Sequence, residues 1–472
     1  MSGSDSTART AAPAPTLERR LGALDGALLT IGAVVGTGIF LTAGDVARVA
    51  GTPGLVLLVW LVGGLLTLAG ALTYAELGAM MPRAGGPYHF LREAWGPFWG
   101  FLFGWTCLLV IMTGGIAAIA VGFGEYLGSF IPGFSSERAW TTPLGPWRWT
   151  VTGAQLAAAL AIMLLTIVNH VGLRAGAGVQ GALTALKFGA ALALVAAGFA
   201  LAPTGPVPFD AVRAAESTPT LGPAALLGAF LTAMVAVLWT YDGWYAATMN
   251  AAEMRRPSRD LPLALVTGVA AVIVLYLLLN LVYLRTLPFA ELSHTTRVAE
   301  AAAARLVGEA GARWVSGAIA LSAFGCLAST ILYTSRIYQP MAEDGLFFSA
   351  VARIHPRWHV PVASLWLQSL WAVALALTGS YTQLFTYVTF AGVLFHVLAG
   401  LALFRLRVTQ PSWVRPYRAW GYPIVPALFV GGMLALVVNT LLSAPVESLA
   451  GLVAIALGVP GYLWWRRRQV RA

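Results

Sequence analysis

The sequence predicts an all-α, polytopic membrane protein with about twelve transmembrane helices. Of its 472 residues, 58% are hydrophobic and only 10% are charged. The mean hydropathy of +0.76 lies far above that of a soluble domain of average composition. The apolar residues form repeated runs of about 20 residues, the length that a helix needs to cross the hydrocarbon core. We find no strand-length segments of alternating polarity, which a transmembrane barrel would require.

Twelve apolar runs have the length of a membrane span. In chain order they cover residues 24–48, 54–80, 97–127, 150–169, 176–201, 224–252, 261–286, 313–342, 361–378, 381–404, 423–443 and 447–465. Residues 1–20 are polar and rich in Ala, Pro and Ser, so we expect a disordered cytoplasmic tail. The apolar run that follows is continued by further spans and is too long for a cleaved signal peptide.

The net charge of +10 comes from arginines in the short segments between spans. Such scattered charge does not form the single basic surface of a nucleic-acid-binding protein. With the N-terminus placed in the cytoplasm, the inside segments carry 20 arginines and the outside segments carry 8, while the only lysine lies within a span. This excess of positive charge inside predicts cytoplasmic N- and C-termini, in the cell (inner) membrane.

Two spans carry glycine and polar residues at mid-depth, where an ordinary membrane helix is apolar. The interrupting residues, our candidate substrate-binding residues, are Gly36, Thr37, Gly38 and Ile39 in span one and Trp239, Thr240, Asp242 and Gly243 in span six. Glycine-interrupted segments in corresponding positions of two halves point to an inverted-repeat transporter with broken helices 1 and 6. The transporter core would cover 21–404, with repeat one at about 21–201 and repeat two at about 222–404. Residues 405–472 would hold helices 11 and 12 and a cytoplasmic C-terminal tail.

Each interruption also has a plainer interpretation. Gly32 and Gly36 could form a pair of small residues that lets two helices pack closely. An ionisable Asp242 beside Gly243 is harder to explain by packing. A charge deep in an apolar span is costly unless it lines a cavity or has a partner.

Motifs at the first break and at several span ends form a set that extends along nearly the whole chain. They are GTGIF at 36–40, YAEL at 74–77, PRAGGPY at 82–88, RPSRDLP at 256–262, Arg336 with MAEDG at 341–345, RPY at 415–417 and YP at 422–423. Together they resemble the amino acid–polyamine–organocation superfamily, specifically the bacterial relatives of the L-type amino acid transporters. The chain departs from the pattern at 325–328, where GCLA stands in place of the Gly-Ser-x-Asn of many relatives.

The resemblance implies a five-plus-five inverted-repeat fold, a central amino acid site and transport by alternating access. Backbone N–H groups in the first break would meet the substrate carboxylate at a helix N-terminus, where the dipole favours an anion. The Thr37 hydroxyl would add a donor. Carbonyls around Trp239, Thr240 and Asp242 would meet the ammonium. By family position, Trp239 resembles the aromatic residue that closes over bound substrate.

Asp242 has three open roles: contact with substrate, proton coupling, or capping of the half-helix that follows it. Capping is favoured at this point, because an Asp beside a helix start is a common structural cap.

Lys187 is the only lysine in the chain and lies near the middle of span five. An ammonium is expensive at that depth, and snorkelling to an interface is difficult from there. In sodium-independent members of the family, a lysine at the matching position resembles a permanent stand-in for sodium that contacts carbonyls of the first broken helix. Lys187 could instead carry a coupled proton, because a buried lysine changes protonation readily.

The leading hypothesis is therefore a sodium-independent secondary transporter of neutral L-amino acids, working as an exchanger or a uniporter. Proton symport remains open, as does a carrier for cationic amino acids or polyamines in which Asp242 is the acidic determinant. A receptor or channel that reuses the fold has no specific support. Discrimination between these hypotheses requires a transport assay.

No enzyme chemistry is expected, because zinc-protease, Cys-x-x-Cys and phosphate-loop motifs are missing from the sequence. We accordingly expect no cofactor, no bound metal and no nucleic-acid partner. Cys107 and Cys326 both lie within spans. Eukaryotic relatives of the L-type branch join a heavy subunit through an external cysteine, so no disulfide-linked heavy subunit is expected here.

Overall fold

The computed structural model describes residues 21–83, 85–144, 147–171, 176–202, 222–335, 337–355 and 360–471. These residues are helical almost throughout, with a single two-stranded antiparallel hairpin among them. The all-α class predicted from hydropathy is thereby confirmed. The predicted tail 1–20 and two motif positions, Ala84 and Arg336, lie outside the described residues.

The first half of the chain holds the helices of spans one to five. Their bounds, with the hairpin strands, are α1 Ala23–Val34, α2 Gly38–Ala50, α3 Pro53–Met80, α4 Pro87–Trp95, α5 Pro97–Thr106, α6 Met112–Leu127, β1 Ala139–Leu144, β2 Trp147–Thr152, α7 Gly153–His170 and α8 Gly176–Leu201. A π-helical turn, Cys107–Ile111, joins α5 to α6 within span three.

The second half holds the remaining spans and several short connecting helices. Their bounds are α9 Pro223–Tyr241, α10 Ala246–Met249, α11 Pro257–Thr286, α12 Phe289–His294, α13 Val298–Thr334, α14 Tyr338–Glu343, α15 Ser349–Ala352, α16 Val362–Thr378, α17 Tyr381–Thr409, α18 Ile424–Ser443, α19 Pro445–Ala456 and α20 Gly458–Arg471.

Within the described part of the chain, nine helices are long and apolar enough to cross a membrane, and the bent pair of α1 and α2 makes a tenth span. Two shorter apolar helices, Leu186–Leu201 of α8 and the whole of α16, occupy the two remaining predicted spans. The structure therefore agrees with about twelve spans. The division into two inverted repeats stays a prediction.

Both predicted breaks are present. α1 ends at Val34, α2 begins at Gly38, and the two helices are bent by 51° relative to each other. In span six, α9 ends at Tyr241 and only a single helical turn, α10, follows. Gly243 between them has a φ of +92°, a left-handed conformation that glycine adopts without steric cost.

The spans pack as two groups. In the first group, α1 and α3 both pack on α11, and α9 packs on α2 and α3. In the second group, α6 packs on α7, α13 and α16. Both broken spans belong to the first group. α17 contacts both groups, through α9 on one side and α6 on the other.

Span eight differs from its predicted range of 313–342. α13 begins at Val298 and consists of two helices joined at a kink at Gly308, whose φ is +78°. The predicted start at residue 313 lies shortly after this kink, so the prediction located the second helix and missed the first, whose hydropathy Arg305 lowers. The helix also ends before the predicted boundary, because α14 is a separate short helix.

A β-hairpin precedes span four, where the sequence analysis placed the first turn of a membrane helix. Its strands pair with Ala139 opposite Thr152. The helix α7 begins only at Gly153, and Thr152 forms a capping box with Gln155 at its start. Alternating β-branched and aromatic residues in the hairpin carry a strand signal, which a search by span length does not register.

A buried carboxylate joins the predicted cytoplasmic ends of α3 and α17. Glu76 is fully buried and accepts two hydrogen bonds from the Arg407 guanidinium, at 3.0 and 2.6 Å. The Ala419 N–H donates to the same carboxylate at 2.6 Å, and Arg415 lies 3.5 Å from it. Charge-assisted, two-pronged hydrogen bonds of this kind compensate for the burial of a charge.

A second polar cluster lies on the predicted cytoplasmic side. The Tyr88 hydroxyl donates to Asp344 at 2.5 Å, and the Arg92 guanidinium lies 2.9 Å from the same carboxylate. Burial, together with the hydrogen bond to Asp344, raises the pKa of Tyr88 well above its ordinary value. The hydroxyl therefore stays protonated and remains a donor, which ties α4 to the segment after α14.

Candidate functional site

The two breaks lie against each other. A Cβ atom added at Gly38 would come within 2.9 Å of Oγ1 and 3.1 Å of Cα of Thr240. A Cβ atom added at Gly243 would come within 2.9 Å of the Ala33 carbonyl oxygen. Each break therefore uses a glycine to let the other broken span approach closely. The candidate residues of spans one and six are brought together at this contact.

The start of α2 presents backbone donors without partners. Among the described residues, the N–H groups of Thr37, Gly38 and Ile39 make no hydrogen bond, as expected for the first turn of a helix. The Thr37 hydroxyl is 2% exposed. It also lacks a hydrogen bond of normal geometry within that part of the chain, although it faces the Tyr381 hydroxyl. Donors at a positive helix end are suited to hold a carboxylate.

The end of α9 is more fully hydrogen-bonded than the sequence analysis implied. The Trp239 carbonyl accepts the Asp242 N–H at 3.1 Å, and the Thr240 carbonyl accepts the Tyr276 hydroxyl at 3.1 Å. The same hydroxyl lies 3.0 Å from the Val34 carbonyl at the end of α1. Tyr276 thus joins the carbonyl ends of both broken spans. Each carbonyl keeps a second lone pair, so acceptors remain for an ammonium.

The sequence analysis missed Tyr276 and two other residues that hold the breaks. Thr42 shares a 2.8 Å hydrogen bond with Thr240, and Tyr126 donates to the Phe40 carbonyl at 3.0 Å. A signal was present in the sequence, because a phenol deep in an apolar span needs a hydrogen-bond partner. The partners themselves lie on other spans, so their identity could not be read locally.

Trp239 closes one side of the breaks. Its side chain is 9% exposed, and its indole N–H donates to the Tyr381 hydroxyl at 3.1 Å. Its ring stacks on Phe385, with centroids 6.3 Å apart and planes inclined by 18°. These contacts lie toward the predicted outer face, where α17 begins.

The opposite side of the breaks is more accessible. Gly36, Asp242 and Gly243 are half-buried, and so is Cys326 on α13. Their partial exposure contrasts with the near-complete burial on the Trp239 side. The structure is therefore closed toward the predicted outer face, where Trp239 contacts Tyr381 and Phe385.

Asp242 does not cap the helix after the break. α10 begins at Ala246, and its N-cap residue is Tyr245, which makes no side-chain cap bond. The capping interpretation is therefore wrong, because three residues separate Asp242 from that helix. Asp242 forms no ion pair within the described ranges. Contact with substrate and proton coupling remain as its possible roles.

Lys187 reaches the first broken span from span five. Its side chain is 4% exposed, and Nζ donates to the Gly32 carbonyl at 3.0 Å. Gly32 lies in the last turn of α1, where carbonyls lose their helical partners at the break. The ammonium also supplies positive charge at the negative end of a helix dipole. The contact has the form that the resemblance implied, while its role in transport stays a prediction.

Comparison with known proteins yields relatives along the whole length of the chain. The serine/threonine exchanger SteT of Bacillus subtilis (strain 168) is 29% identical over 457 residues, 96% of this chain and 98% of the relative. The b(0,+)-type amino acid transporter 1 of Mus musculus is 30% identical over 445 residues, 94% of this chain and 86% of the relative. The cystine/glutamate transporter of Homo sapiens is 30% identical over 451 residues, 94% and 85% respectively.

The family model for amino acid permeases matches residues 21–460. This range includes both breaks, Lys187 and the apolar helices that can cross a membrane, except for the end of the last one, Pro445–Arg468. Broken spans that meet at mid-depth, a family match over nearly the full length and relatives named as transporters all agree. The chain belongs to the amino acid permease family and is a membrane transporter, not an enzyme.

Proposed function

We propose that this chain is a sodium-independent exchanger of neutral L-amino acids, which binds its substrate where the two broken spans meet. The observation that carries the proposal is the 3.0 Å contact between the Lys187 ammonium and the Gly32 carbonyl. In this proposal the Lys187 ammonium supplies positive charge at the first break. A fixed charge at that position does locally what a bound sodium ion would do, so no sodium is needed.

The two charges of an amino acid suit the two breaks. The carboxylate binds the unpartnered N–H groups at the start of α2, where the helix dipole is positive. The ammonium binds at the end of α9, where the dipole is negative and Asp242 adds a carboxylate. Recognition by backbone groups does not depend on the substrate side chain. The residues that surround the site, including Trp239, therefore determine the size of substrate that is accepted.

Exchange is favoured over uniport by one comparison. The Bacillus subtilis relative is an exchanger by name and aligns over nearly its whole length. Alternating access requires the site to open to each side in turn. The contacts of Trp239 with Tyr381 and Phe385, which close the predicted outer side, support a cycle that includes an outward-closed state.

Counterflow in proteoliposomes tests the proposal. The purified chain alone is reconstituted, the lumen is preloaded with unlabelled alanine, and uptake of labelled alanine is followed in sodium or choline buffer. We expect uptake only into preloaded vesicles, at equal rates in both buffers. Leucine should compete, whereas arginine and putrescine should not.

Each alternative predicts a different result in the same assay. Uptake into empty vesicles at the same rate as into preloaded vesicles identifies a uniporter. Uptake driven by an imposed proton gradient identifies a symporter. Competition by arginine or putrescine supports a cationic carrier in which Asp242 is the determinant. Saturable binding of alanine without any uptake would indicate a receptor on the same fold.

The orientation and the partners are part of the proposal. The excess of arginine in the predicted inside segments supports cytoplasmic termini in the inner membrane. Cys107 is buried and Cys326 is half-buried, and both are free thiols within spans. We therefore expect function without a disulfide-linked heavy subunit. A partner that copurifies and separates only under reducing conditions would contradict this expectation.

A further inference from the structure

We propose that Tyr381 latches the outer side of the site closed, and that Gln155 positions Tyr381 for this task. The proposal rests on the function proposed above. It deepens that function by naming the residues that control access to the site from the predicted outer face.

The Tyr381 hydroxyl joins two spans that must separate when the site opens outward. Tyr381 is the first residue of α17, and its hydroxyl accepts the Trp239 indole N–H at 3.1 Å. Its ring meets Phe385 nearly edge-on, with centroids 5.6 Å apart, and Phe385 in turn stacks on Trp239. A substrate entering from outside must pass this cluster, so outward opening breaks the hydrogen bond and the stack.

The position of Tyr381 is determined from outside α17. The buried amide of Gln155, in the first turn of α7, donates to the Gly379 carbonyl at 2.9 Å. Gly379 lies two residues before Tyr381, in the turn between α16 and α17. The Trp149 indole of the hairpin donates to the Leu377 carbonyl at 3.1 Å. That carbonyl is one of the last four of α16, which have no partner within the helix.

The hydrogen bond from Gln155 to Gly379 and the short stretch of backbone from Gly379 to Tyr381 therefore connect α7 to the contact with Trp239. α7 and α16 belong to the second group of helices, whereas Trp239 lies on α9 of the first group. The bond between Tyr381 and Trp239 thus links the two groups on the outer side. The Gln155 side chain is held in this position by a second hydrogen bond, because its Oε1 also accepts the Thr152 N–H at 2.8 Å. Because both the amide oxygen and the amide nitrogen of Gln155 are hydrogen-bonded, the side chain fixes the position of the turn between α16 and α17.

The Tyr381→Phe variant removes the hydroxyl and keeps the ring. Alanine exchange is measured in vesicles of defined orientation, with labelled substrate outside or inside. Loss of one hydrogen bond should shift the unloaded carrier toward the outward-open state. Apparent affinity follows the population of the competent state, so the external KM should fall and the internal KM should rise, and the ratio of internal to external KM should increase about fivefold. A purely structural defect does not move the two values in opposite directions.

Gln155→Leu should shift the external and internal KM in the same opposite directions, because the turn before α17 then loses the hydrogen bond from Gln155 to the Gly379 carbonyl. Thr152→Val is the matched control: it removes the hydroxyl of the same capping box, which accepts the Gln155 N–H at 3.3 Å, but leaves the bond to Gly379. Both KM values should stay native in this control. Trp149→Phe, which removes only an indole N–H at the surface, provides a second test of the brace should Gln155→Leu fail to fold. Native KM values in Gln155→Leu, or the same split in Thr152→Val, would overturn the positioning role.

Thiol labelling gives a readout that does not need transport. Cys326 is half-buried and lies on α13, which packs on α8, the helix of Lys187, whereas Cys107 is buried. A membrane-impermeant maleimide applied to the outer face should label Cys326 about fivefold faster in Tyr381→Phe than in the native chain. Cys326→Ser gives the background.

The two measurements separate the latch from the proposed function. If the native chain exchanges amino acids, the latch is tested by the opposite changes of the external and internal KM. Unchanged KM values in Tyr381→Phe then overturn the latch. If the native chain exchanges none, the proposed function fails and labelling alone decides. Faster labelling in Tyr381→Phe then supports the latch, and unchanged labelling overturns it.

Discussion

Lys187 carries a charge at a depth where charge is costly, and its surroundings explain how the charge is tolerated. The ammonium is a compact group with three donors, and one of them meets the Gly32 carbonyl at 3.0 Å. The negative end of the α1 dipole supplies further compensation. A guanidinium is planar and larger, so arginine cannot occupy the same space with the same geometry.

We therefore expect Lys187→Ala to lower the rate of exchange by at least about tenfold, the effect of losing a hydrogen bond from a charged group. Lys187→Arg should not restore exchange. The measurement is counterflow per amount of reconstituted protein, in sodium and in choline buffer. Arg48→Ala, which removes an exposed charge at the predicted outer surface, serves as the control and should behave like the native chain. Near-native exchange by Lys187→Ala, or stimulation of the native chain by sodium, would contradict this role.

At the scale of elements, the two breaks act as a matched pair, because each contributes a glycine at the point of contact. The contact at Gly38 has no room for a side chain, since an added Cβ atom would lie 2.9 Å from Thr240 Oγ1. A β-branched residue there would force the broken spans apart or distort the start of α2. The N–H groups at that helix start would then no longer face the substrate carboxylate.

We expect Gly38→Val to abolish saturable alanine binding while membrane insertion is retained. Gly431→Val is the matched control, because an added Cβ atom at Gly431 on α18 meets nothing within 4 Å. Binding is measured on purified protein, and insertion is followed by membrane yield and size-exclusion profile. Native affinity in Gly38→Val would show that the first break does not hold the substrate.

The breaks were predictable because glycine and an ionisable residue in an apolar span are local signals. Gly36 and Asp242 stand out in the sequence without any knowledge of their neighbours. The helix that precedes the kink at Gly308 in α13 was not predicted, because its charged residues lower its hydropathy. The turn that ends at Tyr381 was likewise hidden, since its supports come from span four and the hairpin.

For the molecule as a whole, Glu76 is the strongest single link between the two ends of the sequence. Its carboxylate gathers Arg407, Arg415 and the Ala419 N–H on the predicted cytoplasmic side. Removing one member of a buried ion pair leaves the partner charge without compensation. The free-energy cost of that uncompensated charge therefore weakens the packing of α3 against the last third of the chain.

We predict that Glu76→Gln destabilises the protein by about 3 kcal/mol, the low end of the range for breaking a buried pair. Asp45→Asn is the matched control. It breaks the exposed pair with Arg48, which should contribute at most about 1 kcal/mol. Thermal unfolding in detergent compares the two variants with the native chain. Equal shifts in the two variants would refute the special role of the buried cluster.

Long-range pairing marks the limit of what the sequence could predict about the whole molecule. The spans and their number follow from hydropathy, which is a property of each segment. The pairs Glu76–Arg407 and Trp239–Tyr381 join residues 331 and 142 positions apart. Such contacts depend on how all the spans pack, so no local sequence pattern predicts them. The breaks themselves were predictable, whereas the contacts of Tyr381 with Trp239 and of Gln155 with Gly379 required the structure.

The burial of Lys187 against Gly32 makes the protein its own chemical reporter. Lys187 is the only lysine, and the other 28 of the 29 Lys and Arg residues are arginines, whose guanidinium stays protonated at neutral pH and does not compete for acylating reagents that attack amines. The reactivity of Lys187 Nζ, measured by mass spectrometry of a single peptide, therefore depends on whether its contact with the Gly32 carbonyl is intact. On the proposed function, a change of state at the first break would change the acylation rate of Lys187, without any label introduced into the chain.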